Sequence, residues 1–227
     1  MFLHEGLGSV SLWRDFPQRV HDRTGCSIFV YSRHGYGKSA PLAGKREPDY
    51  MHREAEIVLP ALLERTQIER PILLGHSDGA SIALLFAAAF PGRAHGLILE
   101  APHVFVEDLS IESIAAAKVA YETTDLKKKL ARHHADVEGA FRGWNDIWLD
   151  ARFRSWNIEE AVGRVREPVL LVQGERDEYG TPAQLRSIET RVADATIVML
   201  PDCAHSPHRD KPDETLDAIA NFVTCLR

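Results

Sequence analysis

The sequence predicts an α/β fold, a mostly parallel, doubly wound sheet with a helical insertion. Two observations carry this: short β-rich apolar runs alternate with longer stretches of helical periodicity, and the alternation stops once, in the middle of the chain. Residues 1–4, 27–31, 71–75, 96–99, 168–172 and 195–200 read as short buried strands. Between them, residues 10–23, 49–65 and 81–90 place apolar side chains at helical spacing, and residues 182–192 and 212–226 continue the series. From about His103 to Arg166 one helical pattern follows another with no strand candidate. Residues 103–166 are therefore expected as an inserted helical block within a core of residues 1–102 and 167–227. The block holds too many bulky apolar residues to be a flexible linker.

Composition narrows the function classes. At 227 residues, 44% apolar and 26% charged, the chain suits a single globular domain with an insertion. The formal net charge of -6 offers no basic face, so neither nucleic acid nor an anionic membrane is expected as a partner. Lys127, Lys128 and Lys129 sit in a helical pattern and read as a solvated face. Cys26, Cys203 and Cys225 are widely spaced and odd in number, which points to neither a disulfide framework nor a zinc site. No apolar run approaches a membrane span and no leader opens the chain, so a cytoplasmic location is expected.

The most specific stretch is PILLGHSDGASIALLFAAAFPGR, which reads strand, sharp turn, helix around Gly75-His76-Ser77-Asp78-Gly79. G-x-S-x-G in that context forces its serine into a strained conformation, and the glycines let strand and helix approach closely. The alternative is a glycine-rich turn in which Ser77 only caps a helix. A hydroxyl is a poor nucleophile at neutral pH and needs a base, which in turn needs an orienting group. PVLLVQGERDEYGTP ends a strand in a turn carrying Asp177, and ATIVMLPDCAHSPHRDKP ends the next in a turn carrying His205. Both lie at the edge where sites collect in parallel α/β sheets. Glu178 and Glu100 compete with Asp177 for the acid role, and Asp177 is favoured. His205 and His208 with Asp202 and Asp210 form an incomplete metal-ligand set, so no metal is expected. RHGYGKSA resembles the end of a phosphate-binding loop but has Ser32 where that motif requires glycine.

GHSDG, GERD, CAHSPH and HGYGKS together resemble the α/β-hydrolase family over essentially the whole chain. The resemblance implies the α/β-hydrolase fold with a helical cap at the insertion, and a serine hydrolase that needs no cofactor. By the same likeness, the backbone N–H groups of Gly6 and Asp78 would form the oxyanion hole. Where the family usually has His-Gly-x-x-Gly, this chain reads His4-Glu5-Gly6-Leu7-Gly8. A carboxylate facing the oxyanion would oppose catalysis, so the Glu5 side chain is expected to turn away or pair with a cation. The cap position makes Trp144, Trp148, Phe153 and Trp156 candidates to line a substrate pocket, with Tyr36 and Phe105 from the body; aromatics at helical spacing also serve as core.

The expected substrate is a small, largely apolar carboxylic ester or related carbonyl compound. Rival readings are a carbon–carbon bond hydrolase of a diketone-like product of aromatic degradation, amide cleavage, and a non-catalytic ligand-binding protein on the same scaffold. The family's first two strands have no counterpart in MFLHEGLGSVSLW, so an exposed sheet edge, and with it a homodimer, is a further expectation.

Overall fold

In the computed structural model, which describes residues 1–226, five parallel strands form one sheet in the order β1 (Phe2–Leu3), β2 (Ile72–His76), β3 (Gly96–Glu100), β4 (Val169–Gly174) and β5 (Ala195–Leu200). Alternate side chains of the strands serve opposite faces. Leu73, Leu97, Leu99, Val169 and Leu171 enter one apolar cluster, and Phe2, Leu74, Ile98, Leu170 and Val172 the other. That period of two is what a sheet covered on both sides requires.

Helices fill both layers. On one face lie α1 (Phe16–Thr24) and, at the end of the chain, Leu216, Ile219 and Val223. On the other lie α2 (Tyr50–Arg53), α3 (Leu59–Thr66) and α4 (Asp78–Ala89). From β1 the chain crosses one face through α1, and residues 27–31 return alongside β1, where Val30 bridges Phe2. It then crosses the opposite face through α2 and α3 to reach β2. The winding reverses at β1, and ligand sites in such sheets form at that reversal, beyond the carboxyl ends of the strands.

Three expectations are corrected. Residues 27–31 form a single bridge and one backbone hydrogen bond, Phe2 N–H to the Phe29 carbonyl at 2.9 Å, instead of a strand ladder. β1 has only two residues and cannot support more. The helix expected over 10–23 splits into a 3-10 turn, Val10–Trp13, and α1, because Arg14 adopts φ 53° and Pro17 fits only the first turn of a new helix. The helix expected over 49–65 contains a π segment, Glu54–Val58, just before Pro60, which has no N–H to continue an α ladder.

Residues 103–166 hold α5 (Asp108–Thr123), α6 (Leu126–Leu130), α7 (Val137–Trp148) and α8 (Glu159–Val162), with one antiparallel bridge between Phe105 and Asn157. Their apolar side chains, among them Phe141, Trp148 and Phe153, join the same cluster as α2, α3 and α4. The chain closes with α9 (Ala183–Glu189), α10 (Pro207–Asp210) and α11 (Pro212–Cys225).

Strand β2 and helix α4 touch through glycine. A Cβ on Gly79 would lie 2.0 Å from the carbonyl oxygen of Leu3, and one on Gly75 would lie 2.4 Å from the carbonyl oxygen of Gly79. Both obstacles are backbone and cannot swing aside. Gly79→Ala is therefore expected to cost about 3 kcal/mol, read as a lowered urea midpoint at unchanged slope.

Candidate active site

Four segments converge beyond the carboxyl ends of the strands: residues 4–8 after β1, Ser77 after β2, the turn with Asp177 after β4 and the turn with His205 after β5. Ser77, between β2 and α4, takes φ 52° and ψ -118°, a conformation that side chains other than hydrogen rarely adopt. The turn stays compact because Ser77's own carbonyl accepts the N–H groups of Ala80 and Ser81 at 2.9 and 3.1 Å.

Asp177 and His205 meet directly, with the His205 Nδ1–H donating to Asp177 Oδ1 at 2.8 Å. This leaves Nε2 as the acceptor nitrogen. The same Oδ1 takes the backbone N–H of Tyr179 at 2.8 Å, while Oδ2 takes Gln173 Nε2–H at 2.9 Å. Burial pushes the Asp177 pKa up, but His205 and the Tyr179 N–H outweigh it and hold the pKa at about 2. A carboxylate depressed in the folded state stabilises the fold above its unfolded pKa and loses that effect as pH falls through the folded one. Asp177 is thus expected to contribute about 2 kcal/mol above about pH 4, fading toward pH 2. Urea unfolding of wild type and Asp177→Asn should show the stability gap narrowing over that window.

The rival carboxylates have other partners. Glu100, buried at the end of β3, accepts both the ring Nδ1–H of His208 at 2.6 Å and its backbone N–H at 3.2 Å. Glu178 accepts the backbone N–H of His205 at 3.1 Å and so braces the loop, not the ring. The metal-ligand set is dispersed as well. His208 faces Glu100, Asp202 pairs with Arg176, and Asp210 accepts the N–H of Ala204. Among the described residues no group of three or more ligating side chains is placed to hold a metal ion.

The loop after β1 is fixed by its carbonyls. His4 Nδ1–H donates to the Glu5 carbonyl at 2.7 Å while Nε2 accepts the Arg33 N–H at 3.0 Å, the pattern of a neutral imidazole. Burial, then the Arg33 charge, lower the His4 pKa accordingly. Arg33 Nη2 also donates to the carbonyls of His4 and Glu5 at 3.1 and 2.9 Å. In a trans peptide the N–H points opposite to its carbonyl, so Gly6 N–H faces away from Arg33. His134 ties the same loop to the helical block, its Nε2–H donating to the Leu7 carbonyl at 2.9 Å.

Gly6, Ser77 and His205 share a cavity of about 240 Å³. Leu7, Ile114, Trp144 and Trp148 supply its apolar wall, and Glu5, His103, Ser110, Glu178 and Arg209 make it as polar as it is apolar. Trp144 lies directly on Gly6, where a Cβ would fall 2.1 Å from the indole. One helical turn on, Trp148 Nε1–H is shared between Tyr50 Oη at 3.1 Å and Asp78 Oδ1 at 3.3 Å. His103, which no sequence motif marks, meets Trp148 edge to face at 5.2 Å and lies tilted 5.7 Å from His205. Burial first, and His205 second, lower its pKa to about 3, which keeps it neutral.

Four of the six expected lining residues lie elsewhere: Phe153 and Trp156, stacked 5.3 Å apart, are buried in the apolar cluster instead of bordering the cavity. Tyr36 is buried in the body between the guanidinium groups of Arg33 and Arg46, 5.0 and 4.9 Å from its ring, because a large ring in a glycine loop packs inward. Phe105 is held on its backbone by Gln184, which accepts its N–H at 3.4 Å and donates to its carbonyl at 3.1 Å, and it does not border this cavity. A larger groove, about 600 Å³, runs past Ser9, Lys38 and His133 and contains neither Ser77, Asp177 nor His205.

A parallel α/β sheet with a strained serine at a strand-to-helix turn, and an acid–histidine pair in the next loops, defines an enzyme scaffold of the hydrolase kind. The sequence model described as "Alpha/beta hydrolase family" matches residues 1–218, and the chain belongs to that family. Among similar proteins are the human serine hydrolase BPHL, 23% identical over 87% of this chain and 69% of that one, and the Mus musculus sn-1-specific diacylglycerol lipase ABHD11, 24% identical over 98% and 80%. Similar folds include MGS-M2, an alpha/beta hydrolase enzyme from a Medee basin deep-sea metagenome library, with TM-score 0.76 at 19% identity over 98% of this chain and 88% of that one. Proline iminopeptidase of Mycobacterium smegmatis superposes with TM-score 0.73 at 19% identity over 99% and 88%.

Proposed function

We propose that this protein is a serine hydrolase of small carboxylic esters, with Ser77, His205 and Asp177 as its triad. The observation that carries this is the Asp177–His205 hydrogen bond of 2.8 Å, which leaves His205 Nε2 free to accept a proton in the cavity that Ser77 also lines. Ser77 Oγ attacks the ester carbonyl as His205 Nε2 takes its proton. Asp177 holds the imidazole in the required tautomer and stabilises the imidazolium. The N–H groups of Gly6 and Asp78 receive the oxyanion, aided by the orientation that Arg33 imposes on the Glu5–Gly6 peptide. His205 returns the proton to the leaving alcohol, and water then releases the acyl group by the same steps. No cofactor enters.

A cavity of about 240 Å³ falls below the roughly 300–1,000 Å³ typical of drug-sized ligands, so the substrate is small. Trp144, Trp148, Leu7 and Ile114 suit an apolar acyl group. Glu178, Ser110 and Arg209 favour a polar substituent beyond it, which amends the expectation of a largely apolar substrate. Among the described residues no helix is long and apolar enough to cross a membrane.

The test is turnover of a matched panel of short-chain esters, amides and diketones by wild type and Ser77→Ala. The proposal predicts ester hydrolysis foremost and its loss in the variant. Preference for the amide or diketone would redirect the substrate class; turnover that survives in Ser77→Ala would overturn the mechanism.

A further inference from the structure

Glu5 occupies a position where the family usually has glycine, in the same cavity as Ser77. Its Oε2 lies 3.5 Å from Nδ1 of His76, the residue before Ser77. The other nitrogen of that ring, Nε2, donates to the backbone carbonyl of His205 at 2.7 Å. One buried imidazole therefore joins the loop after β1, the end of β2 and the loop that carries the proposed base. We infer that Glu5 and His76 are a positioning pair, an imidazolium–carboxylate bridge that sets the oxyanion and base loops against the nucleophile strand and cancels the Glu5 charge beside the oxyanion. The inference rests on the serine-hydrolase reading above.

Nε2 gives its hydrogen to the His205 carbonyl, and in a neutral ring the buried Nδ1, which has no hydrogen-bond partner, would turn its lone pair toward the Glu5 carboxylate 3.5 Å away, so the cation fits the site. The groups around the ring agree. Glu5 faces it from the loop after β1, Glu100 acts from β3, His103 from the segment after β3, His205 from the loop after β5 and His208 from α10, each of the last two 5.0 Å between ring centres. Burial disfavours the cation, but Glu5 and then Glu100 outweigh it, and the His76 pKa is raised. Burial likewise opposes the Glu5 carboxylate, and His76 outweighs it and holds the Glu5 pKa well below the usual range. Arg33 engages only the carbonyl of Glu5, and Glu178 and Arg209 border the cavity.

The pair is complete below the raised His76 pKa. Above it, His76 loses its proton while Glu5 stays ionised, and an uncompensated carboxylate then adjoins Gly6 and opposes the charge developing on the substrate oxygen. Activity should fall on the alkaline side for this reason.

The experiment measures kcat and KM for a short-chain ester from pH 6 to 9.5 in wild type, Glu5→Gln, His76→Asn and the double variant, with NMR titration of the His76 ring in wild type and Glu5→Gln. The expected result is an alkaline decline in wild-type kcat that Glu5→Gln removes, and a His76 titration displaced to lower pH in Glu5→Gln. His76→Asn alone should lower kcat about tenfold with KM within about twofold, and adding Glu5→Gln should restore most of the loss. A double variant no better than His76→Asn, or a His76 titration unmoved in Glu5→Gln, would overturn the pair. If His76→Asn fails to fold by circular dichroism, the Glu5→Gln profile and titration decide. If wild type itself shows no Ser77-dependent turnover, the hydrolase reading fails, while the His76 titration still decides whether the bridge exists.

Discussion

Ser77→Gly is expected to abolish the proposed ester turnover and to make the protein more stable. The first effect follows from the proposed nucleophile, whose removal should lower kcat on the order of 10⁵-fold. The second follows from the backbone, because glycine adopts φ 52° and ψ -118° without the cost that any Cβ incurs there. A gain of about 1 kcal/mol is expected from relief of that strain. Ser77→Ala is the control: it should lose the same activity without the gain, since alanine keeps the Cβ. Paired kinetics and urea melts on the two variants separate the chemical role of the hydroxyl from the conformational burden of its position.

Asp177→Asn and Glu100→Gln should both do damage, but of different kinds. Asn at 177 cannot hold the His205 Nδ1–H as a carboxylate does, and it favours the wrong tautomer, so kcat should fall about 10⁴-fold, with the loss of about 2 kcal/mol of stability near neutrality expected from the depressed Asp177 pKa. Glu100 sits beneath the site, bonded twice to His208 in a setting without solvent. Removing its charge should lower stability by about 3 kcal/mol while kcat, in the fraction still folded, falls less than about tenfold. A larger kcat loss in Glu100→Gln than in Asp177→Asn would reassign the acid.

Much of this was legible because the chemistry depends on local pattern. A strand, a glycine-flanked serine and a helix are contiguous, and β5 occupies the very residues, 195–200, that β-rich patterning marks out. The loops bearing Asp177 and His205 could be placed because each follows a run of strand-like composition, although β4 is buried throughout and β5, read as buried, is only half-buried. What escaped was set by partners distant in sequence. Residues 27–31 have strand-like composition but only a two-residue neighbour, and pairing depends on the neighbour. Tyr36 and Phe105 lie in suitable loops, yet the direction of a side chain is decided by what packs on it, here Arg33 and Arg46 for Tyr36. The partners of Glu5, Glu100 and His103 could not be read from spacing at all. Glu5 and His76 are 71 positions apart, and the signal that something must face Glu5 was only its departure from glycine.

The helical block shows the same division. Its helices follow from periodicity, but that Trp144 rests on Gly6 while Trp148 turns its indole N–H to Asp78 depends on how α7 is seated over the loop after β1. Aromatics four residues apart on one helix face thus have different neighbours, one on the proposed oxyanion loop and one on the residue after the proposed nucleophile.

The central claim, that Ser77 is the nucleophile, is tested most directly by incubating the protein with a fluorophosphonate and locating the adduct by peptide mass spectrometry. The account predicts a single adduct on Ser77, formed slowly or not at all in Asp177→Asn and His205→Ala. An unmodified Ser77 in active protein, or an adduct on another residue, would contradict it.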